Sequence, residues 1–295
     1  MDGGTTMPML LIKGSYRIVG ASPDGDSVRF VPDDPGDWDL LRGRKVRRNR
    51  VGGAQLRLDG IDTLETHYRP PHGPELHQPA PYAGQAADAL LGWLGFGEVE
   101  RGANGIVKHS APESVPGYIL TRSADVHGRC VALAGRGTDA PGASGELVTV
   151  TVEHLRQTAN RHQLAEGLAY PTFYRNLFVD LRQELSGAAG EARQDGRGLW
   201  PADETQSGAK VEGRPTLTDS AVLLPKLFRR LADYLQLNDG DPSLDGFRPY
   251  LEQREDRLFV LSSGQWTGFD TVVEVTNGDT VRLNRLPEDL VFDEK

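Results

Sequence analysis

The stretch LRLDGIDTLET, from Leu56 to Thr66, limits the folds open to this chain more than any other. It opens as a strand: Leu56 and Leu58 fall on one side of a pleat and Arg57 on the other. It then gathers Asp59, Asp62, Thr63 and Glu65 within a few residues. A strand that only builds a core does not need that much polar chemistry at its end. Upstream, SYRIVGA (15–21) reads as a strand, PDG (23–25) as a turn, and DSVRF (26–30) alternates as a second strand. The first 60 residues therefore read as β.

Further along, GYILTRS (117–123) and GRCVALAGR (128–136) flank ADVH, the pattern of a hairpin. Helices are expected over 83–95, 152–170 with Gly167 as its stop, and 176–194, where Leu177, Phe178, Leu181, Leu185, Ala188 and Ala192 form one apolar stripe. The Pro- and His-rich stretch 66–82 has no periodicity and reads as loop, and 203–218 as a linker. Beyond it, 219–237 has helical spacing interrupted by Pro225, and 270–283 is a hairpin turning at Asn277-Gly278. The expected division is a domain over 1–202, the linker 203–218, and a small α+β domain over 219–295.

Composition narrows the class. No run approaches the roughly 18 apolar residues of a membrane helix, and MPMLLIKG lacks the features of a secretory signal. A single cysteine, Cys130, excludes an internal disulfide framework and any multi-cysteine zinc site. A cytoplasmic location is expected, with no membrane partner. The net charge is −9, and residues 201–295 carry 11 basic against 18 acidic groups. Such a surface argues against passive coating of nucleic acid, but not against a local site. RGRKVRRNR (42–50) holds six basic residues and reads either as a solvated loop or as a phosphate-contacting arm.

Oxygen-rich side chains suit a hard cation such as Ca²⁺ or Mg²⁺. Asp26, after a turn, and Asp62, at a strand end, would meet if their strands are neighbours, with the Thr63 carbonyl completing the protein ligands. Glu65 would hold a water. Arg57 and Arg129 would bracket a phosphate through paired N–H donors. In a regular strand Arg57 and Asp62 face opposite ways, so convergence needs a bend, which Gly60 permits. The residues alone leave scattered surface charge as the alternative. Cys130, next to Arg129 on an alternating strand, is expected to face the core.

DGDSVRF, RLDGIDTLE, HGRCVALA, LAEGLAY and DGRGLW occur in an order that resembles the staphylococcal nuclease (thermonuclease) family, over roughly residues 14–202. That resemblance implies an OB-type five-stranded β-barrel with three helices. It also implies Ca²⁺-dependent hydrolysis of DNA and RNA phosphodiesters to 3′-phosphate ends. Carried over by position, Asp26, Asp62 and Thr63 match the metal ligands, Glu65 the general base, and Arg57 and Arg129 the phosphate-binding arginines. Two positions depart from the pattern. Leu64 stands where proline is usual, and His127 where a tyrosine often touches the substrate phosphate. Phe173 lies near the aromatic position that often stacks a base. The competing reading is a nucleic-acid- or protein-binding module that kept the fold without turnover. In that reading the acidic C-terminal domain, whose partner is unknown, would recruit a partner or shield the site.

Overall fold

The computed structural model describes residues 8–293. The first seven residues and the last two, which the expected domain boundaries include, lie outside the described residues. Those up to Asp59, with Ala87–Gln163 and Phe178–Leu185, form one compact unit. Gly60–Ala86, Leu164–Leu177 and the residues from Ser186 onward form a second.

The first unit contains a closed five-stranded barrel of β1 (Pro8–Tyr16), β2 (Arg29–Pro32), β3 (Ala54–Leu58), β4 (Val115–Ala124) and β5 (Cys130–Arg136). β1 pairs with β2, β2 with β3, β5 with β4, and β4 with β1, all antiparallel, while β3 and β5 run parallel. This order closes the sheet, so none of the five strands is left as an edge, and it is consistent with the expected OB-like barrel. The alternation seen in the sequence gives the barrel an inner and an outer face. Leu56 and Leu58 are fully buried with Leu11, Ile12, Phe30, Ile119 and Leu133, and Arg57 between them points outward. Tyr16 crosses the interior and donates its hydroxyl to the carbonyls of Tyr118 and Gly135, at 3.1 and 2.8 Å. Gly117 is required there, because a Cβ at that position would lie 2.3 Å from the Tyr16 ring. Cys130 is buried as expected, and burial pushes its thiol up to about 12.

In the second unit the short strand Ile61–Asp62 pairs with Tyr170–Pro171, antiparallel. Phe173–Tyr174 joins a four-stranded sheet through Leu290–Phe292. The hairpin Val273–Thr276/Thr280–Leu283 turns at Asn277 and Gly278, both with positive φ, as the dipeptide predicts. Three expectations change. Helix 152–170 is two short helices, Val152–Arg156 and Ala159–Ala165, with Tyr170 in a strand. Pro225 does not interrupt a helix but starts one, Pro225–Leu237, at the position where a missing N–H costs nothing. Residues 203–218 are packed rather than extended in solvent: Thr205, Ala209 and Leu217 are fully buried, and Ala209–Lys210 pairs with Thr280 and Val281. Among the described residues, no helix is long and apolar enough to cross a membrane.

Candidate active site

In the first unit, backbone pairing brings three of the expected residues to one region of the barrel. The Leu58 amide donates to the Asp26 carbonyl at 2.8 Å, and Leu56 to Val28 at 2.8 Å, so the Asp26 segment lies alongside β3. Arg57 pairs in register with Val131 on β5, and Arg129 is two residues before Val131. Arg57 and Arg129 therefore share the outer face of two adjacent strands, with Leu56 and Cys130 turned into the core. Two buried side chains that the sequence did not single out hold this region, both from the helix Ala159–Ala165. Asn160 donates to the carbonyls of Asp59 and Ala132, at 2.8 and 3.0 Å, and accepts from the Ala134 amide at 3.0 Å. Gln163 donates to the Gly25 carbonyl at 2.7 Å, fixing the turn before Asp26.

Arg129 has its own brace. Asp125 is buried in the β4–β5 hairpin. Its Oδ1 accepts from the amides of His127 and Arg129, at 2.9 and 2.8 Å, and its Oδ2 from Arg129 Nε at 2.7 Å. The guanidinium is thus held by its inner nitrogen, and Nη1 and Nη2 carry no hydrogen bond among the described residues. Burial alone would raise the Asp125 pKa, but the charge and hydrogen bonds of Arg129 outweigh it and hold the carboxyl below its ordinary range. A depressed folded pKa stabilises above the unfolded value, and the contribution disappears as pH falls through the folded value. Asp125→Asn should therefore be less stable than wild type at pH 7, with the gap closing well below about pH 4. Urea midpoints at pH 7 and pH 3 measure it, and a constant gap would reject the linkage. The sequence signal was local: an Asp two residues before His127 in a hairpin tip reads as a side-chain turn. His127 itself is exposed beside Arg129.

In the second unit Asp62 and Thr63 are buried and Glu65 is half-buried. Gln78, fully buried, grips Glu65 from both sides of its backbone. Its Oε1 accepts from the Glu65 amide at 3.2 Å, and its own amide donates to the Glu65 carbonyl at 2.8 Å. Gln78 Nε2 donates to the Leu223 carbonyl at 2.8 Å, which ties this loop to the segment entering the helix Pro225–Leu237. Leu64, the departure from proline, is buried, so packing fixes the backbone that a proline ring would otherwise restrict. Phe173 is a correction: its ring is fully buried, so it offers no face on which to stack a base. It was singled out because it is aromatic, and its aromatic character serves the core.

One residue of the C-terminal segment engages this carboxylate pair. Arg229 Nη2 donates to Asp62 Oδ2 at 2.7 Å, Nη1 lies 3.4 Å from Asp62 Oδ1, and Nη1 also donates to Glu65 Oε1. The three side chains are 20%, 6% and 16% exposed respectively, so the charges meet largely out of water. Burial would lower the Arg229 pKa, but Asp62 and then Glu65 raise it well above its usual value. No three His, Cys, Asp or Glu side chains cluster as a metal site among the described residues, and His67, His72 and His77 form none. The donor chemistry nevertheless suits a hard cation, and at Asp62 the Arg229 guanidinium already stands in as one. No family model matches the chain, and no curated protein matches it either.

Proposed function

We propose that this protein is a phosphodiester hydrolase of the staphylococcal nuclease type, acting on DNA or RNA with a divalent cation such as Ca²⁺. The observation that carries the reading is the arginine pair: Arg57 and Arg129 on one face of adjacent strands, with the outer nitrogens of Arg129 presented by a buried carboxylate. A planar fork held in this way matches two oxygens of a phosphate. Asp26, Asp62 and the Thr63 carbonyl would hold the cation, which when bound supplies a Lewis acid for a phosphoryl oxygen. Glu65 would orient and deprotonate the attacking water. Arg57 and Arg129 would stabilise the charge that grows on the phosphoryl oxygens, and His127 would donate a hydrogen bond to a neighbouring phosphate. The water oxygen would bond to phosphorus as the P–O5′ bond breaks, and the departing 5′-oxygen would take up a proton, leaving a 3′-phosphate and a 5′-hydroxyl.

A second reading rests on Arg229. With Asp62 and Glu65 both ion-paired to it, the same surface describes a binding module that engages phosphate without turning it over. A nuclease assay with Ca²⁺ and with chelator separates the two. Wild type should cleave only with metal, and Glu65→Gln should lose about 10²–10⁴-fold, the usual contribution of a general base. Equal cleavage by the two proteins, or none by either, would overturn the hydrolase reading.

A further inference from the structure

The basic run at 42–50 is anchored at Arg47 to the β4–β5 hairpin that carries Arg129. The Arg47 amide donates to the Gly128 carbonyl at 2.8 Å, one residue before Arg129. Contact there is close: a Cβ on Gly128, whose φ is +79°, would meet the Arg47 Cβ at 2.9 Å. The strand register then places a row of residues across the outer face of the barrel. The Arg17 amide donates to the Arg29 carbonyl at 3.2 Å, Arg29 pairs with Gln55, and the next residue, Leu56, pairs with Cys130, which directly follows Arg129. Neighbouring strands lie about 4.8 Å apart, so this row from Arg17 to Arg129 spans about 14 Å.

Two hollows share Arg29. One is floored by Arg29 and Gln55 and walled by Arg47 and Arg48, and the other extends past Arg29 to Arg17. Arg29 is fixed by donating both outer nitrogens to the carbonyls of Val19 and Gly20, each at 3.1 Å. Arg17 and Arg47 are exposed. Glu113 is the one carboxylate lining the two hollows, and Arg48 pairs with Asp39. An acidic protein thus carries a local basic track on one sheet face, continuous with the two arginines assigned to phosphate.

We propose that this track binds the sugar–phosphate backbone of the nucleic acid flanking the cleaved bond, with Arg17 and Arg47 on phosphates leading away from Arg129 and Arg29, held to backbone carbonyls, adding positive charge between them. The phosphodiesterase reading supplies only the position of the cleaved bond. A row of this length can meet more than one phosphate of the same strand. The track reads charge and spacing, not bases, so it extends affinity without sequence preference.

The test is binding of a labelled single-stranded oligodeoxynucleotide to the full-length protein, followed by anisotropy from low to moderate salt with EDTA present. Turnover plays no part in that measurement. Arg17→Gln/Arg47→Gln should weaken binding and reduce the slope of log K against log salt by about 1.4, at about 0.7 per lost contact. Arg17→Lys/Arg47→Lys should restore the slope, because point charges suffice for this term. An unchanged slope in the Gln variant would overturn the track whether or not the protein cleaves. Absent nuclease activity with the expected loss of slope would instead remove the hydrolase reading and leave the track standing. Binding of polyglutamate as tight as that of the oligonucleotide, with the same response to the variants, would overturn the assignment to nucleic acid.

Discussion

Arg229→Ala should cost about 3–5 kcal/mol of folding stability, the range for breaking a buried ion pair by removing one partner. Arg229 gives a two-pronged contact to Asp62 and a further hydrogen bond to Glu65, within a largely water-excluded cluster. Truncation removes the cation that Asp62 and Glu65 share, and the charge imbalance left in that environment costs more than the lost contacts. Urea unfolding of the second unit reports it, and a loss below about 1 kcal/mol would mean that solvent or relaxation satisfies the pair. Removing all three charges with Asp62→Asn/Glu65→Gln/Arg229→Leu should recover most of the loss, because a neutral cluster carries no stranded charge. If Asp62 belongs to a cation site, Ca²⁺ should stabilise Arg229→Ala more than wild type. A ligand at 100 times its Kd adds about 2.7 kcal/mol, so the difference is measurable without any assay of cleavage. Equal Ca²⁺ response in the two proteins would show that Arg229 and the cation do not compete.

What the sequence made legible was whatever its physics kept local. Leu56, Arg57 and Leu58 announce their faces by alternation alone, whereas the closure of the barrel lies in pairings between distant strands that no local pattern records. The turn at Asn277-Gly278 is legible for the same reason, since both residues accept positive φ. Arg229 was not legible, because it meets Asp62 across 167 positions and an ion pair leaves no trace in either neighbourhood. In the sequence it is one cation of a helical run, indistinguishable from Arg230, which pairs instead with Asp256. Asn160 and Gln163 were hidden similarly, as polar residues in a helix whose usual place is the surface. Both are buried with backbone groups as partners: Asn160 bonds the Asp59 and Ala132 carbonyls and the Ala134 amide, and Gln163 the Gly25 carbonyl. Residues 203–218 misled by composition: Thr205, Ala209 and Leu217 are spaced too widely to look like a core segment, yet each is fully buried.

Arg129→Lys should lower turnover by about 10²–10³-fold, equivalent to about 3–4 kcal/mol of transition-state stabilisation. Charge is conserved in this variant, so any loss measures geometry. In the wild type Asp125 takes Nε at 2.7 Å and fixes the plane of the guanidinium, and the proposed hydrolase mechanism uses Nη1 and Nη2 as the fork for a phosphate. An ammonium cannot do both tasks: if it bonds Asp125 it points away from the substrate, and if it reaches the substrate it leaves Asp125 with two backbone donors alone. The loss should therefore fall mainly on kcat, because charge on the phosphoryl oxygens grows in the transition state, while KM changes less. Asp125→Asn should reproduce part of the effect by loosening the fork, with Arg129 still present. Steady-state kinetics on one oligonucleotide compares all three proteins. Near-normal kcat in Arg129→Lys would remove the fork, and with it Arg129, from the chemistry, whereas a rise confined to KM would assign Arg129 to ground-state binding of the phosphate.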